Sequence, residues 1–378
     1  MDINTMLNNF YEDHVKMTRV ETKQNVDFVI PLVNKLLQYV HERDRRFKQQ
    51  QLNVGSYYCH LKVTRADEFD YSVVLDIGSS LDWGIGTPSY YRYNGNNDVV
   101  RSSIPLPSAP TGKCVTQVAG LTHKWNNGRF NEGPACLTIG DHIIPIKVKR
   151  RFKALVSEAV NRLNIRQYVD AKPASESPAA TLIISHPNIV GDTISVDLTP
   201  LIEAHLSFKP EFGWPRSGAK WPSFTKHEEI KAEGIHQVAK DPLYWSFSFV
   251  TCEKKLLDGI DSNGTCRKKS QRIMKKLREV WCPKGTKQEL NSYHLKNILF
   301  WECENHPYDS KWTNDQLSVR VESMCYLIIQ CIQRGNLPLY FHTGVNLLEN
   351  KDENVLSQVA LNILRFLKNP EQYLIQNF

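Results

Sequence analysis

Five stretches after Trp245 carry apolar residues at helical spacing, with only short polar turns between them: 252–258, 266–281, 290–304, 315–334 and 353–367. Helices with apolar stripes must bury them against one another, so this part of the chain is constrained to a helical lobe. The part before it reads differently. Val26, Val29, Val33, Leu36 and Val40 mark a long first helix. Glu68–Ile77 alternates like a strand, with Phe69, Tyr71, Val73 and Leu75 on one side. Residues 149–168 suit an amphipathic helix with a basic beginning, and Ala180–Ser185 and Thr193–Leu198 read as two further strands. Residues 84–113 are rich in Gly, Asn, Ser and Pro and read mostly as loop, while Phe208–Phe224, full of Pro, Gly and Trp, reads as a seam. The outline is an α+β, bilobal chain: a mixed-sheet lobe with its first helix over 1–210, and an all-helical lobe over 211–378.

At 378 residues the chain is long enough to bury a sizeable core in each lobe. No run approaches the roughly 20 apolar residues of a membrane span. The polar start Met1-Asp2-Ile3-Asn4 lacks the apolar core of a secretion signal, so a cytoplasmic location and no membrane partner are expected. Nine cysteines, an odd number with no Cys-x-x-Cys, point to reduced thiols instead of a disulfide framework. The net charge of +7 permits a polyanionic partner without demanding one.

Glu68-Phe69-Asp70 is the sharpest local feature. Residues i and i+2 of a strand project from the same face, so the two carboxylates point together. Two acids side by side repel each other and attract hard cations such as magnesium, which prefer oxygen ligands. A bare acid-x-acid also suits the solvated face of an ordinary strand. What sets this one apart is Gly55-Ser56, with Ser56 twelve residues before Glu68. A glycine lets backbone amides approach a phosphate, and the serine hydroxyl adds a donor. A third acid, Asp197, sits in the apolar strand Ile194-Ser195-Val196-Asp197-Leu198, where an unpaired charge is expensive without a role. Together the three acids make a candidate two-metal site for phosphoryl transfer, with Asp197 also able to draw a proton from an attacking hydroxyl.

Gly55-Ser56-Tyr57-Tyr58-Cys59-His60-Leu61-Lys62 followed by Glu68-Phe69-Asp70 resembles the active-site stretch of the cyclic GMP–AMP synthases, and Ser177–Ser185 with Ile194–Asp197 resembles their third-acid strand. Trp214-Pro215-Arg216-Ser217, Cys266-Arg267-Lys268-Lys269, Ser292-Tyr293-His294-Leu295-Lys296 and Leu337-Pro338-Leu339-Tyr340-Phe341 resemble the male-abnormal (Mab) family to which those synthases belong. The resemblance covers nearly the whole chain in order. It implies a bilobal nucleotidyltransferase in which Glu68, Asp70 and Asp197 are catalytic and hold Mg2+ or Mn2+. Gly55, Ser56, Ser248, Glu253, Lys275, Ser292 and Tyr293 then bind nucleotide, with Tyr293 stacking on a base. The implied reaction joins ATP with GTP or a pyrimidine nucleotide into a cyclic dinucleotide.

Two departures from the pattern matter. The vertebrate DNA-sensing synthase carries a zinc-binding insertion, whereas Lys254–Thr265 here holds neither histidine nor cysteine, so no zinc is expected. An arginine that contacts base in the vertebrate enzyme stands here as Ser246, which leaves base preference open. Members without the insertion resemble invertebrate sensors of double-stranded RNA. Three basic clusters fit such an activator: Arg43 and Arg46 with Arg45 and Lys48; Lys149, Arg150, Arg151 and Lys153; and Lys268, Lys269 and Arg272. A ligand-induced dimer belongs to the same expectation, as does a role in innate immune sensing. Two alternatives stand beside it: a catalytically silent Mab-like scaffold that binds RNA, nucleotide or protein, and a transferase making linear products.

Overall fold

The computed structural model describes residues 2–16, 19–54, 58–63, 68–76, 82–84, 91–94, 98–101, 109–117, 135–139, 142–171, 179–185 and 193–376. The chain opens with α1 (Ile3–Phe10), a π-helical turn (Tyr11–Val15) and the long α2 (Arg19–Arg43). Strands β1 (Phe47–Val54) and β2 (Glu68–Leu75) follow, then the short β3 (Asp82–Gly84), β4 (Tyr91–Asn94), β5 (Asp98–Arg101), β6 (Lys113–Gln117), β7 (Thr138–Ile139) and β8 (His142–Ile143). Next come α3 (Pro145–Arg162), β9 (Val169–Ala171), β10 (Ala180–Ser185) and the 14-residue β11 (Thr193–Leu206). The stretch read as loop over 84–113 thus includes paired strands: Tyr91–Asn94 and Asp98–Arg101 form an antiparallel pair, which their β-branched and aromatic residues favour.

The sheet does not stop at residue 210. After α4 (Phe224–Glu233), strands β12 (Ile235–Val238) and β13 (Trp245–Ser248) extend it, giving the order β1-β2-β11-β12-β13-β6-β8-β7 with β10 and β9 branching from β11. Helical structure then takes over with α5 (Val250–Leu257), α6 (Arg267–Trp281), α7 (Ser292–Asn305) and α8 (Leu317–Gln333). A small hairpin, β14 (Pro338–Leu339) with β15 (His342–Asn346), precedes α9 (Glu353–Lys368) and α10 (Pro370–Gln376). This is a sheet-rich N-terminal region followed by a helical one. No helix among the described residues is long and apolar enough to cross a membrane.

Strand β11 organises the fold. Its Ile194, Val196 and Leu198 are buried on one face, while Ser195, Asp197 and Thr199 alternate onto the other. It runs parallel to β2 on one side and antiparallel to β10 and β12 on the other. Between Ile202 and Leu206 the pairing with β12 slips, and His205 sits there with φ +47°. Gly234, at φ +68° and ψ 177°, packs directly on that kink. A Cβ on Gly234 would lie 2.6 Å from the His205 Cα and carbonyl carbon. Gly234→Ala should therefore cost about 1–3 kcal/mol, seen as a lower denaturation midpoint; an unchanged midpoint would refute this close backbone approach.

The Pro/Gly/Trp-rich seam is tightly packed. Phe208 lies 4.6 Å from Trp214 between ring centroids, Phe212 meets Phe247 at 5.1 Å, and Phe249 stacks on Phe341 at 5.5 Å. Each such pair contributes about 0.5–1.5 kcal/mol beyond its buried area. The Arg216 guanidinium, 4.3 Å from the Trp301 ring, holds both Glu304 oxygens at 2.5 and 2.6 Å and donates to the Tyr340 carbonyl at 2.9 Å. Sheet and helices are thus fastened together through aromatic area and a planar bidentate ion pair.

Candidate active site

The parallel register of β2 and β11 builds the site. Glu68 pairs with Ser195, Asp70 with Asp197 and Ser72 with Thr199. Partners in register share a face, so the alternation in both strands gathers six polar side chains on one side of the sheet. The opposite side carries Phe69, Tyr71, Val196 and Leu198, all buried. A cleft of about 300 Å³ opens over the polar face, with Glu68, Asp70, Ser72 and Thr199 as its floor. Its other walls come from β13 and α5 (Ser248, Glu253), from α6 (Gln271, Lys275) and from α7 (Ser292, Tyr293, Lys296). A second cleft of about 570 Å³ continues past Glu68, lined by Lys62, Lys275, Lys276, Arg278, Ser292 and Ser195 among others.

The carboxylates have distinct environments. Burial, reinforced by Glu68 and then Asp197, pushes the Asp70 carboxyl up to about 6. For Glu68 burial also acts upward, but the ammonium of Lys62, 2.7 Å away, outweighs it and holds the group below its usual range. Asp197 accepts a hydrogen bond from the Thr181 hydroxyl at 2.6 Å across the β10–β11 pairing. As donors, these three groups fit a hard divalent cation: oxygen ligands from adjacent strands whose mutual repulsion a positive ion would relieve. Among the described residues, however, no three His, Cys, Asp or Glu side chains are gathered closely enough to hold a metal ion. Lys62 and Thr181 engage two of the three carboxylates instead.

Of the residues expected from the sequence to bind nucleotide, Ser248, Glu253, Lys275, Ser292 and Tyr293 line the same cleft, and Gly55 and Ser56 lie outside the described residues. Ser248 is buried on β13. Lys275 is buried and donates to the Leu61 carbonyl at 2.9 Å; burial, then the nearby Lys62, pull its ammonium down to about 8. Ser292 opens α7, whose start is capped by Asn291. The Tyr293 ring has the Lys296 ammonium 5.0 Å and the Lys240 ammonium 5.8 Å from its centroid. Glu253 is buried and ion-paired with Lys296, and burial with that carboxylate raises the Tyr293 hydroxyl well above its usual range. Lys62, Lys240, Gln271 and Lys296 line these clefts without having been assigned a role from the sequence. For Lys296 a signal was present: it stands four residues after Ser292 and three after Tyr293, hence on their face of the helix.

The basic clusters divide. Arg46 is buried, holding Asp44 at 2.8 and 2.7 Å and the Ala135 carbonyl at 2.8 Å. It anchors the end of α2 and is out of reach of a nucleic acid, a correction to its sequence reading. Arg151 joins the same Asp44 at 3.1 Å, and Lys149 is buried, so neither presents an open cation. Lys269 and Arg272 turn inward against the π-helical turn: both cations lie over the Tyr11 ring, and Arg272 bonds its hydroxyl. Arg43 is at the surface beside Glu158, Arg150 is exposed, and Lys153 and Lys268 are half-buried.

Comparison with known proteins agrees with this architecture. Residues 57–259 match the Mab-21 protein nucleotidyltransferase domain, and residues 266–365 the Mab-21 protein HhH/H2TH-like domain. The chain belongs to the Mab-21 family. The junction between the two matched domains, 259 to 266, falls after β13 and α5, consistent with the sheet running beyond residue 210. Within the Mab-21 family, protein mab-21-like 3 of Danio rerio is 30% identical over 254 residues, 67% of this chain and 62% of that protein. Protein mab-21-like 3 of Xenopus laevis is 32% identical over 183 residues, 47% of this chain and 48% of that protein. The matches thus span about half to three fifths of these relatives' lengths.

Proposed function

We propose that the chain is a nucleotidyltransferase that joins two nucleoside triphosphates into a cyclic dinucleotide when double-stranded RNA is bound. The observation that carries this reading is the in-register pairing of Asp197 with Asp70, which together with Glu68 lies at the floor of a cleft walled by cations and Tyr293. Glu68, Asp70 and Asp197 would hold the divalent cations, Mg2+ or Mn2+. When bound, such ions neutralise charge at the reacting phosphate and make a ribose hydroxyl more acidic.

The protein's own groups supply the rest. Tyr293 offers a flat surface to a base, a contact that contributes about 1–3 kcal/mol in comparable stacks. Lys275 and Ser292 stand where the two clefts meet and suit phosphate oxygens. A ribose hydroxyl of one nucleotide attacks the α-phosphate of the other, Asp197 takes its proton, and the bond to the β-phosphate breaks to release pyrophosphate. The linear product then turns over and closes by the same step. ATP with GTP or a pyrimidine nucleotide are the proposed substrates, the location is cytoplasmic, and dimerisation accompanies activation. Arg43, Arg150, Lys153 and Lys268 would face a duplex backbone; their contribution would show as loss of affinity with salt.

A second reading, a catalytically silent nucleotide- or RNA-binding scaffold, is favoured by one observation: the Lys62 ammonium already neutralises Glu68. Pyrophosphate release separates the two. Purified chain with the four nucleoside triphosphates and Mg2+ or Mn2+ should release pyrophosphate on adding long duplex RNA and much less on adding duplex DNA. Nucleotide binding without release under any of these conditions would leave the scaffold.

A further inference from the structure

We infer that Lys62 is an internal counter-cation that occupies the carboxylate site in the nucleotide-free protein, and that it must leave Glu68 for the second cleft before a divalent cation can bind. This rests on the proposed role of Glu68 as a cation ligand. Lys62 is only 8% exposed in its side chain, yet its ammonium reaches a carboxylate oxygen of Glu68 at 2.7 Å. A buried ammonium needs a counter-charge, and the Glu68 carboxylate supplies one to Lys62. A lysine and a metal ion cannot share one carboxylate at such range without strong repulsion.

The structure also gives Lys62 a destination. The 570 Å³ cleft on the far side of Glu68 is lined by Lys62 itself together with Lys275, Lys276, Arg278 and Ser292. The neighbouring residue is tied into the same place, since Lys275 donates to the Leu61 carbonyl at 2.9 Å. Burial and the closeness of Lys62 pull the Lys275 ammonium down to about 8, and an incoming polyphosphate would favour its charged form. One polyphosphate chain in this cleft can therefore take Lys275 from Leu61 and Lys62 from Glu68. Nucleotide and cation binding are coupled through that exchange.

The test reads Mn2+ binding directly, by electron paramagnetic resonance, on the full chain without turnover. Lys62→Met should bind Mn2+ at least tenfold more tightly than the wild type when nucleotide is absent. Adding a non-hydrolysable ATP analogue should tighten Mn2+ binding to the wild type and change Lys62→Met little. Lys62→Gln provides the same neutralisation should the methionine variant fold poorly, and Lys275→Met controls for the loss of a nearby charge without loss of the latch. Equal Mn2+ affinity in wild type and both Lys62 variants, or an equal gain from Lys275→Met, overturns the inference. Absence of Mn2+ binding in every protein overturns both the inference and the carboxylate reading. Tighter binding in the Lys62 variants with no nucleotide product from any protein supports the latch and removes the synthase.

Discussion

Asp70→Asn should make the protein more stable at neutral pH while lowering nucleotidyl transfer by at least about 10³-fold. The two effects share one cause. Asp70 is forced into a half-buried place beside two other acids, which lifts its carboxyl to about 6 from the ordinary 3.8. A folded-state value above the unfolded one means that the ionised group opposes folding. That penalty is fully present above pH 6, fades as the folded protein takes up its proton, and is gone below about pH 4. Allowing for partial exposure, asparagine should recover roughly 1–2 kcal/mol at pH 7 and almost nothing at pH 4. Denaturant titrations at the two pH values check this. A variant no more stable than the wild type at pH 7 would mean that the carboxylates do not repel as described. The loss of transfer follows because a bound cation supplies several kcal/mol of charge stabilisation, and each 1.36 kcal/mol is tenfold in rate.

Lys296→Met should destabilise the fold by roughly 3–5 kcal/mol, because it strands the buried Glu253 carboxylate without its cation. Glu253 has the phenol of Tyr293 close by and no other ammonium paired with it among the described residues. A second variant ties the loss to that charge. Adding Glu253→Gln to Lys296→Met should recover much of the stability, since a neutral amide needs no counter-ion. A deficit unrelieved by the second substitution, read from denaturant titrations, would assign Lys296 a packing role instead.

The long helices and the two main strands were readable because their apolar residues repeat with a clear period. The stretches 266–281, 315–334 and 353–367 correspond to Arg267–Trp281, Leu317–Gln333 and Glu353–Lys368, and Ala180–Ser185 is a strand with those bounds. Strand Ile235–Val238 was not readable. All four of its residues are buried, including His236 and Gln237, so neither alternation nor polarity marks it. At the site, spacing placed Glu68 and Asp70 on one face, but nothing in a single sequence states that Thr193–Leu206 runs parallel beside Glu68–Leu75 in the register that brings Asp197 to Asp70. The basic clusters were the least legible. A run of Lys and Arg looks the same whether its cations face solvent or, like Arg46 on Asp44 and Arg272 on Tyr11, close an internal contact.

The most direct test of the central claim is to follow α-labelled ATP, GTP, CTP and UTP through incubation with the purified chain, Mg2+ or Mn2+, and long double-stranded RNA or DNA, ending in phosphatase digestion and chromatography. The account predicts a phosphatase-resistant labelled product with RNA, absent from Asp70→Asn and Asp197→Asn. Folded wild-type protein yielding no resistant product under any condition, or equal product from those two variants, would contradict it.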